Sequence, residues 1–152
     1  MIIEAFPDTS FLCSSYREQR FSTEADAWME TRREPLAVSS FLLLEFRQSI
    51  RFQARLNSND RNKGFSEREG QAMLRDLQSD LTHQVLRVVP VDWADVHQIG
   101  ERLSAAHTIQ HGHRLVDLLH VATAIHLGVP TFLTFDTNQR RLAEAEGMDV
   151  PL

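Results

Sequence analysis

The sequence is short of several residue types, and each scarcity excludes something. It has one cysteine in 152 residues. Cys13 therefore cannot close an internal disulfide, and with no activating group beside it in the sequence it reads as a small core residue suited to a reducing compartment. No apolar run approaches the roughly 20 residues of a membrane-spanning helix. The opening residues contain Glu4 and Pro7 and lack the basic stretch of a secretory leader. The expectation is a soluble, cytoplasmic protein with no membrane contact. Net positive charge is missing as well: 16 Lys and Arg face 21 Asp and Glu, for a formal charge of −5. Nothing draws the whole chain towards nucleic acid, although an acidic total does not exclude an RNA substrate, because acids can be balanced by bound metal. Repeats, low-complexity segments and linkers are absent too. With 42% hydrophobic residues, the chain is long enough for one domain with a real core, spanning 1–152, and too short for two.

The pattern that is present alternates short apolar runs with amphipathic ones. His113 to Gly128 carries apolar residues near helical spacing and stops at a glycine, and Pro130 bars continuation before the buried run Phe132 to Phe135. Met1 to Phe6 reads as a first strand, followed by a helix from Phe11 to Gln19 capped by Asp8, Thr9 or Ser10. A second helix is expected over 22–33, a strand at Leu36 to Val38, and a strongly apolar helix from Phe41 to about Leu56. Asn57 to Gly64 is a loop, and Ser66 with Glu69 fits a capping box for the helix that follows. Val85 to Val91 holds a third strand, placed at an edge by Pro90. Asp92 opens a further helix, His107 to His113 forms a connector stopped by Gly112, and 138–146 is a last helix ahead of a strand at 148–150. Strands separated by helices imply a mostly parallel sheet covered on both faces.

Against this frame four acids occupy special places. Asp8 and Asp136 sit where strands end, Asp117 lies in the first turns of a mostly buried helix, and Glu45 interrupts the apolar run Phe41 to Phe46. In parallel α/β sheets ligands collect beyond the carboxyl ends of the strands, so Asp8 and Asp136 become neighbours if their strands are adjacent. Two such charges about 4 Å apart repel by about 4 kcal/mol at an effective dielectric near 20. A cation or a shared proton has to relieve that. Hard carboxylate oxygens select Mg²⁺ or Mn²⁺, and such a site can hydrolyse a phosphodiester with water. Taken singly, Asp8, Asp117 and Asp136 can equally be helix caps or solvated surface acids, and Glu45 a structural ion pair with Arg114.

The order of motifs adds a family resemblance. Pro7-Asp8-Thr9-Ser10-Phe11-Leu12, then Val38-Ser39-Ser40 through Glu45-Phe46, then Arg114 through Asp117 to Ala124, then Phe132-Leu133-Thr134-Phe135-Asp136 with 139–143, resembles the PIN-domain family. It looks most like the VapC ribonuclease toxins of bacterial VapBC toxin–antitoxin pairs, over nearly the whole chain. The resemblance implies a three-layer α/β/α domain around a five-stranded, mostly parallel sheet, and a Mg²⁺- or Mn²⁺-dependent endoribonuclease in which Asp8, Glu45, Asp117 and Asp136 are the catalytic and metal-holding acids. It also implies an RNA substrate, an antitoxin partner and a homodimer. Thr9 and Thr134 match hydroxyl residues that orient carboxylates. Where some members carry a further acid this chain has Asn138, so a second metal would be held more weakly.

Other residues keep two readings. Arg114 either meets a substrate phosphate or holds Asp117 in place. Arg47, Arg51 and Arg55 share a helical stripe that either tracks an RNA backbone or is a solvated face. The histidines around 107–113 invite zinc, but no cysteine stands near them; His120 reads as a core or pocket-rim histidine, and Trp28 and Trp93 as packing residues. A non-catalytic PIN-like module that binds RNA or protein is the alternative function. A receiver-type phosphoacceptor fits poorly, since the only lysine, Lys63, lies in a mid-chain loop.

Overall fold

A computed structural model describes residues 2–152. Its core is a set of four three-residue strands, all paired in parallel: β1 (Ala5–Pro7) with β4 (Thr131–Leu133), and β2 (Leu36–Val38) with β3 (Leu86–Val88). The two pairs lie side by side through β1 and β2, which gives the order β3-β2-β1-β4 and puts β3 at an edge. The chain reverses direction across the sheet between β1 and β4, the place where a parallel sheet opens a crevice at its strand ends.

Among the described residues eight α-helices flank the strands. α1 (Thr9–Tyr16), α2 (Ser22–Glu30), α3 (Ser40–Asn59) and α4 (Glu67–Thr82) form one group, joined by the packing of α1 on α2, α3 and α4. α5 (Trp93–Leu103), α6 (Ile109–His111), α7 (Leu115–His126) and α8 (Thr137–Ala145) follow, with α7 packed on α5 and α8. Both α1 and α7 rest on β1, so the sheet is the middle layer of three. Phe6, Phe11, Phe46 and Phe132 are fully buried where the layers meet. Burying an aromatic ring of this kind is worth roughly 1.5–3 kcal/mol, so these four carry much of the core.

Helix starts follow the capping chemistry of the sequence. Asp8, Ser39, Ser66, Asp92 and Asp136 each accept a backbone N–H from the first turn of the helix they precede. The box expected at Ser66 forms in one direction only: Ser66 Oγ accepts the Glu69 N–H, while the Glu69 carboxylate turns to Arg17 at 3.3 Å. At the end of α7, Gly128 adopts φ +69°, a left-handed turn that a side chain resists, and Pro130 then leads into β4.

Three expectations need correction. The stretch 107–113 is not an open connector: the helical path continues through a π turn at Ser104–Thr108 and α6, ending at Gly112. The fifth strand is reduced to a single bridge between Thr131 and Asp149, because Pro151 has no N–H with which to extend a ladder. The first strand begins at Ala5, later than expected, and the expected start at Met1 lies outside the described residues. Among the described residues no helix is long and apolar enough to cross a membrane.

Candidate active site

The crevice at the ends of β1 and β4 is a pocket of about 490 Å³, and Asp8, Glu45, Asp117 and Asp136 all line it. Each arrives by a different local route. Asp8 is the residue after β1 and the cap of α1; its N–H donates to the Leu133 carbonyl, carrying the β1–β4 register one residue past the strand. Asp136 caps α8 three residues after β4, accepting the Gln139 N–H at 2.8 Å. Glu45 comes from the second turn of α3 and Asp117 from the first turn of α7.

Asp8 is 2% exposed, and its carboxylate is enclosed by donors. Oδ1 accepts from the Phe11 N–H at 3.0 Å and from Ser10 Oγ at 2.6 Å, and Oδ2 accepts from Thr134 Oγ1 at 2.5 Å. The same two hydroxyls accept backbone N–H groups from the strand end: Ser10 Oγ from Phe135, Thr134 Oγ1 from Asp136, both at 3.0 Å. Asp8 and the Asp136 turn are thereby held to one another through hydroxyl relays. Burial pushes the Asp8 carboxyl up to about 6, against the pull of these hydrogen bonds.

Glu45 is partly buried at the pocket wall and shares Oε1 between Thr9 Oγ1, which donates to it, and His120 Nε2 at 3.2 Å. Burial raises its carboxyl, but the hydrogen bonds from His120 and Thr9 outweigh it and hold Glu45 below the usual glutamate range. Asp117 is paired with Arg114, whose Nε donates to Oδ2 at 2.9 Å from an exposed position on the rim. The hydrogen-bond partner of Glu45 is thus His120, and the ion pair of Arg114 is with Asp117. Asp8 and Asp136 make no salt bridge within the described residues, and Asp136 feels the Arg114 charge only at longer range.

The remaining sequence candidates divide. Thr9 and Thr134 orient carboxylates. Asn138 does not reach the pocket: its Nδ2 donates to the His111 carbonyl at 3.1 Å, tying α8 to α6. Arg47, Arg51 and Arg55 lie along α3 away from the acids, and Arg51 and Arg55 border a separate shallow pocket of about 320 Å³. Cys13 lines the acidic pocket, with burial pushing its thiol up to about 11, well outside nucleophilic range. Trp28 and Trp93 pack edge-on against Phe11 and Phe41.

Sequence reasoning passed over Ser10, Gln139 and the pairing of His120. Ser10 stands two residues after a capping aspartate, the position from which a hydroxyl returns to that carboxylate. His120 was legible as a polar residue one turn beyond Asp117 on an apolar helix, but its partner lies 75 positions away. Gln139 lines the pocket 2% exposed, and its Oε1 has no hydrogen-bond partner.

A parallel three-layer α/β domain that gathers four carboxylates beyond its strand ends belongs to the acidic-pocket class. The PIN domain family model matches residues 5–145. The chain belongs to the PIN domain family. Among solved structures, it is similar to FitAcB from Neisseria gonorrhoeae, at 20% identity and a TM-score of 0.65, over 96% of this chain and 95% of that one. VapC20 of Mycobacterium tuberculosis, described as a sarcin-ricin loop cleaving toxin, aligns at 20% identity and a TM-score of 0.64, over 96% and 97%. VapBC2 from Rickettsia felis, bound to a DNA fragment from its promoter, aligns at 17% identity and a TM-score of 0.66, over 99% and 97%. At these identities the likeness is one of fold. No curated protein matches the sequence.

Proposed function

We propose that this chain is a Mg²⁺- or Mn²⁺-dependent endoribonuclease, the toxin of a toxin–antitoxin pair, acting in the cytoplasm as a homodimer. The observation that carries the chemistry is the meeting of Asp8, Glu45, Asp117 and Asp136 around one pocket from four separate parts of the chain. The biological role rests on the family and on fold neighbours that include a described RNA-cleaving toxin.

The donor set fits a hard divalent cation. Its oxygens are carboxylates, and two of them, Asp8 and Asp136, stand at the ends of adjacent strands with no direct salt bridge among the described residues. Among those residues no three His, Cys, Asp or Glu side chains are drawn together as a ready-made ligand cage. A bound Mg²⁺ would therefore rest on one or two of these carboxylates, with its own waters and substrate phosphate completing its shell. Asp8 and Asp136 would hold the ion, with Asp117 and Glu45 completing the acidic wall. When bound, the ion would supply Lewis-acid charge to the phosphoryl oxygens and a more acidic water.

The protein's own groups supply the rest. Thr134 and Ser10 fix both oxygens of Asp8, so the carboxylate faces the pocket without reorganising. Glu45 is kept ionised by His120 and Thr9, and its other oxygen is available to take a proton from the attacking water. Arg114 orients Asp117 and stands exposed at the rim, where its guanidinium can meet an incoming phosphate. Arg51 and Arg55, on the outer face of α3, extend a basic track for the RNA backbone.

The test is incubation of a mixed RNA pool with purified protein in Mg²⁺, in Mn²⁺ and in chelator, beside Asp117→Asn. Cleavage that needs the metal and disappears in the folded variant supports the assignment. Equal cleavage in chelator, or full activity of Asp117→Asn, refutes it.

A further inference from the structure

A second pocket, of about 380 Å³, opens beside the acidic one, and Cys13 and Ser49 line both. Its character is different. Ile50 and Met73 form an apolar floor, Phe65 supplies an aromatic ring, and Arg17 supplies a cation. Gln19 and Gln53 stand on its wall with side-chain amides that make no hydrogen bond within the described residues. The Arg17 guanidinium lies 5.0 Å from the Phe65 ring centroid, over the ring, and pairs with Glu69 at 3.3 Å, so ring and cation stand together at the pocket wall.

The wall is also closely built. Gly64 has φ +59°, and a Cβ there would fall 2.1 Å from the Gln53 carbonyl oxygen. Only glycine lets the loop turn this tightly against α3, where Phe65 and Gln53 line the same pocket.

We infer that this pocket is a nucleobase subsite, holding the base of a nucleotide adjacent to the phosphodiester in the acidic pocket. Resting on the ribonuclease reading above, the assignment names where part of its sequence preference is set. An aromatic ring with a guanidinium is the platform on which single-stranded bases stack, and uncommitted amides are the groups that read a base edge. Ile50 and Met73 give a stacked base an apolar surface to cover, and the pocket's size is that of small-molecule sites. Continuity through Cys13 and Ser49 places stacked base and cleaved phosphate in neighbouring chambers, which a single-stranded RNA can span and a rigid duplex cannot.

The experiment uses full-length wild-type protein, Phe65→Leu and Gln53→Ala, with melting curves as the folding control. Phe65→Leu keeps an apolar side chain of smaller volume and removes the ring, with the melting curves reporting any packing loss; Gln53→Ala removes an amide that has no partner to lose. Fluorescence anisotropy measures binding of four 2′-O-methyl tetranucleotides that differ at one position, and cut sites are mapped in an RNA pool. We expect the wild type to rank the four bases. Phe65→Leu should weaken all four by about ten- to hundredfold, and Gln53→Ala should flatten the ranking in both binding and cut sites. Unchanged affinity and ranking in both folded variants, or a wild type that binds no tetranucleotide, would overturn the subsite, with metal-dependent cleavage left standing. Ranked binding lost in the variants while no form cleaves would support the subsite and remove the nuclease assignment instead.

Discussion

Replacing Asp8 by Asn should make the protein more stable near neutral pH while abolishing its cleavage. Burial lifts the Asp8 carboxyl from 3.8 to about 6. Such a rise amounts to about 3 kcal/mol against the ionised side chain, since each tenfold in proton affinity is worth about 1.4 kcal/mol. Because the folded state holds this proton more tightly than the unfolded chain, stability falls as pH climbs from about 4 to about 6, and the full cost is present above that. Asparagine removes the charge and keeps an oxygen for Ser10 and the Phe11 N–H, while its amide can donate to Thr134 in place of accepting from it. Allowing for imperfect hydrogen bonding, a gain of about 1–3 kcal/mol remains. For a domain of this size that corresponds to a rise in melting temperature of about 3–10 °C. The assay is thermal unfolding of wild type and variant in chelator, at about pH 8 and about pH 4. The variant should melt higher at the upper pH and alike at the lower. A variant that melts below wild type at about pH 8, or an offset that does not change with pH, would refute the reasoning.

Three further outcomes follow from the same contacts. Thr134→Val deletes a buried hydroxyl that serves both Asp8 and the Asp136 N–H, and should cost about 1–3 kcal/mol in chemical denaturation together with most of the cleavage activity. His120→Ala removes one of the two hydrogen bonds that hold Glu45 below its usual range; Glu45 then moves back up, and the acid limb of the pH–rate profile shifts to higher pH. Reversing charge at both Arg51 and Arg55 should weaken RNA binding and flatten its salt dependence, lowering the slope of log affinity against log salt by about 1–2, with cleavage chemistry at saturating RNA intact.

Much of this site was legible before any coordinates. Asp8 and Asp136 follow short apolar strands, and the rule that parallel sheets bind at their carboxyl ends already made them neighbours once β1 and β4 were adjacent. Caps at Ser66 and Asp92 were readable because a small polar residue before an apolar-periodic run has few other roles. What could not be read is contact across long sequence separation. Nothing local says that Glu45 faces His120, or that Arg114 turns towards Asp117 and leaves Glu45. Nor does the sequence announce a π turn at Ser104–Thr108: His107 to His113 reads as a connector, whereas the helical path runs on from the end of α5. The last strand fails for a local reason that was visible, the proline at 151, whose consequence depends on register. Asn138 matched a motif position yet points to the His111 carbonyl, because a place in sequence order does not set the direction of a side chain in the first turn of a helix.

The central claim is that the four converging carboxylates form a divalent-cation site, and Mn²⁺ titration followed by electron paramagnetic resonance tests it most directly. The account predicts that wild-type protein takes up Mn²⁺ that Mg²⁺ displaces, and that Asp8→Asn and Asp136→Asn each lose that binding while remaining folded. Undiminished Mn²⁺ binding in both variants, or none in the wild type, would contradict it.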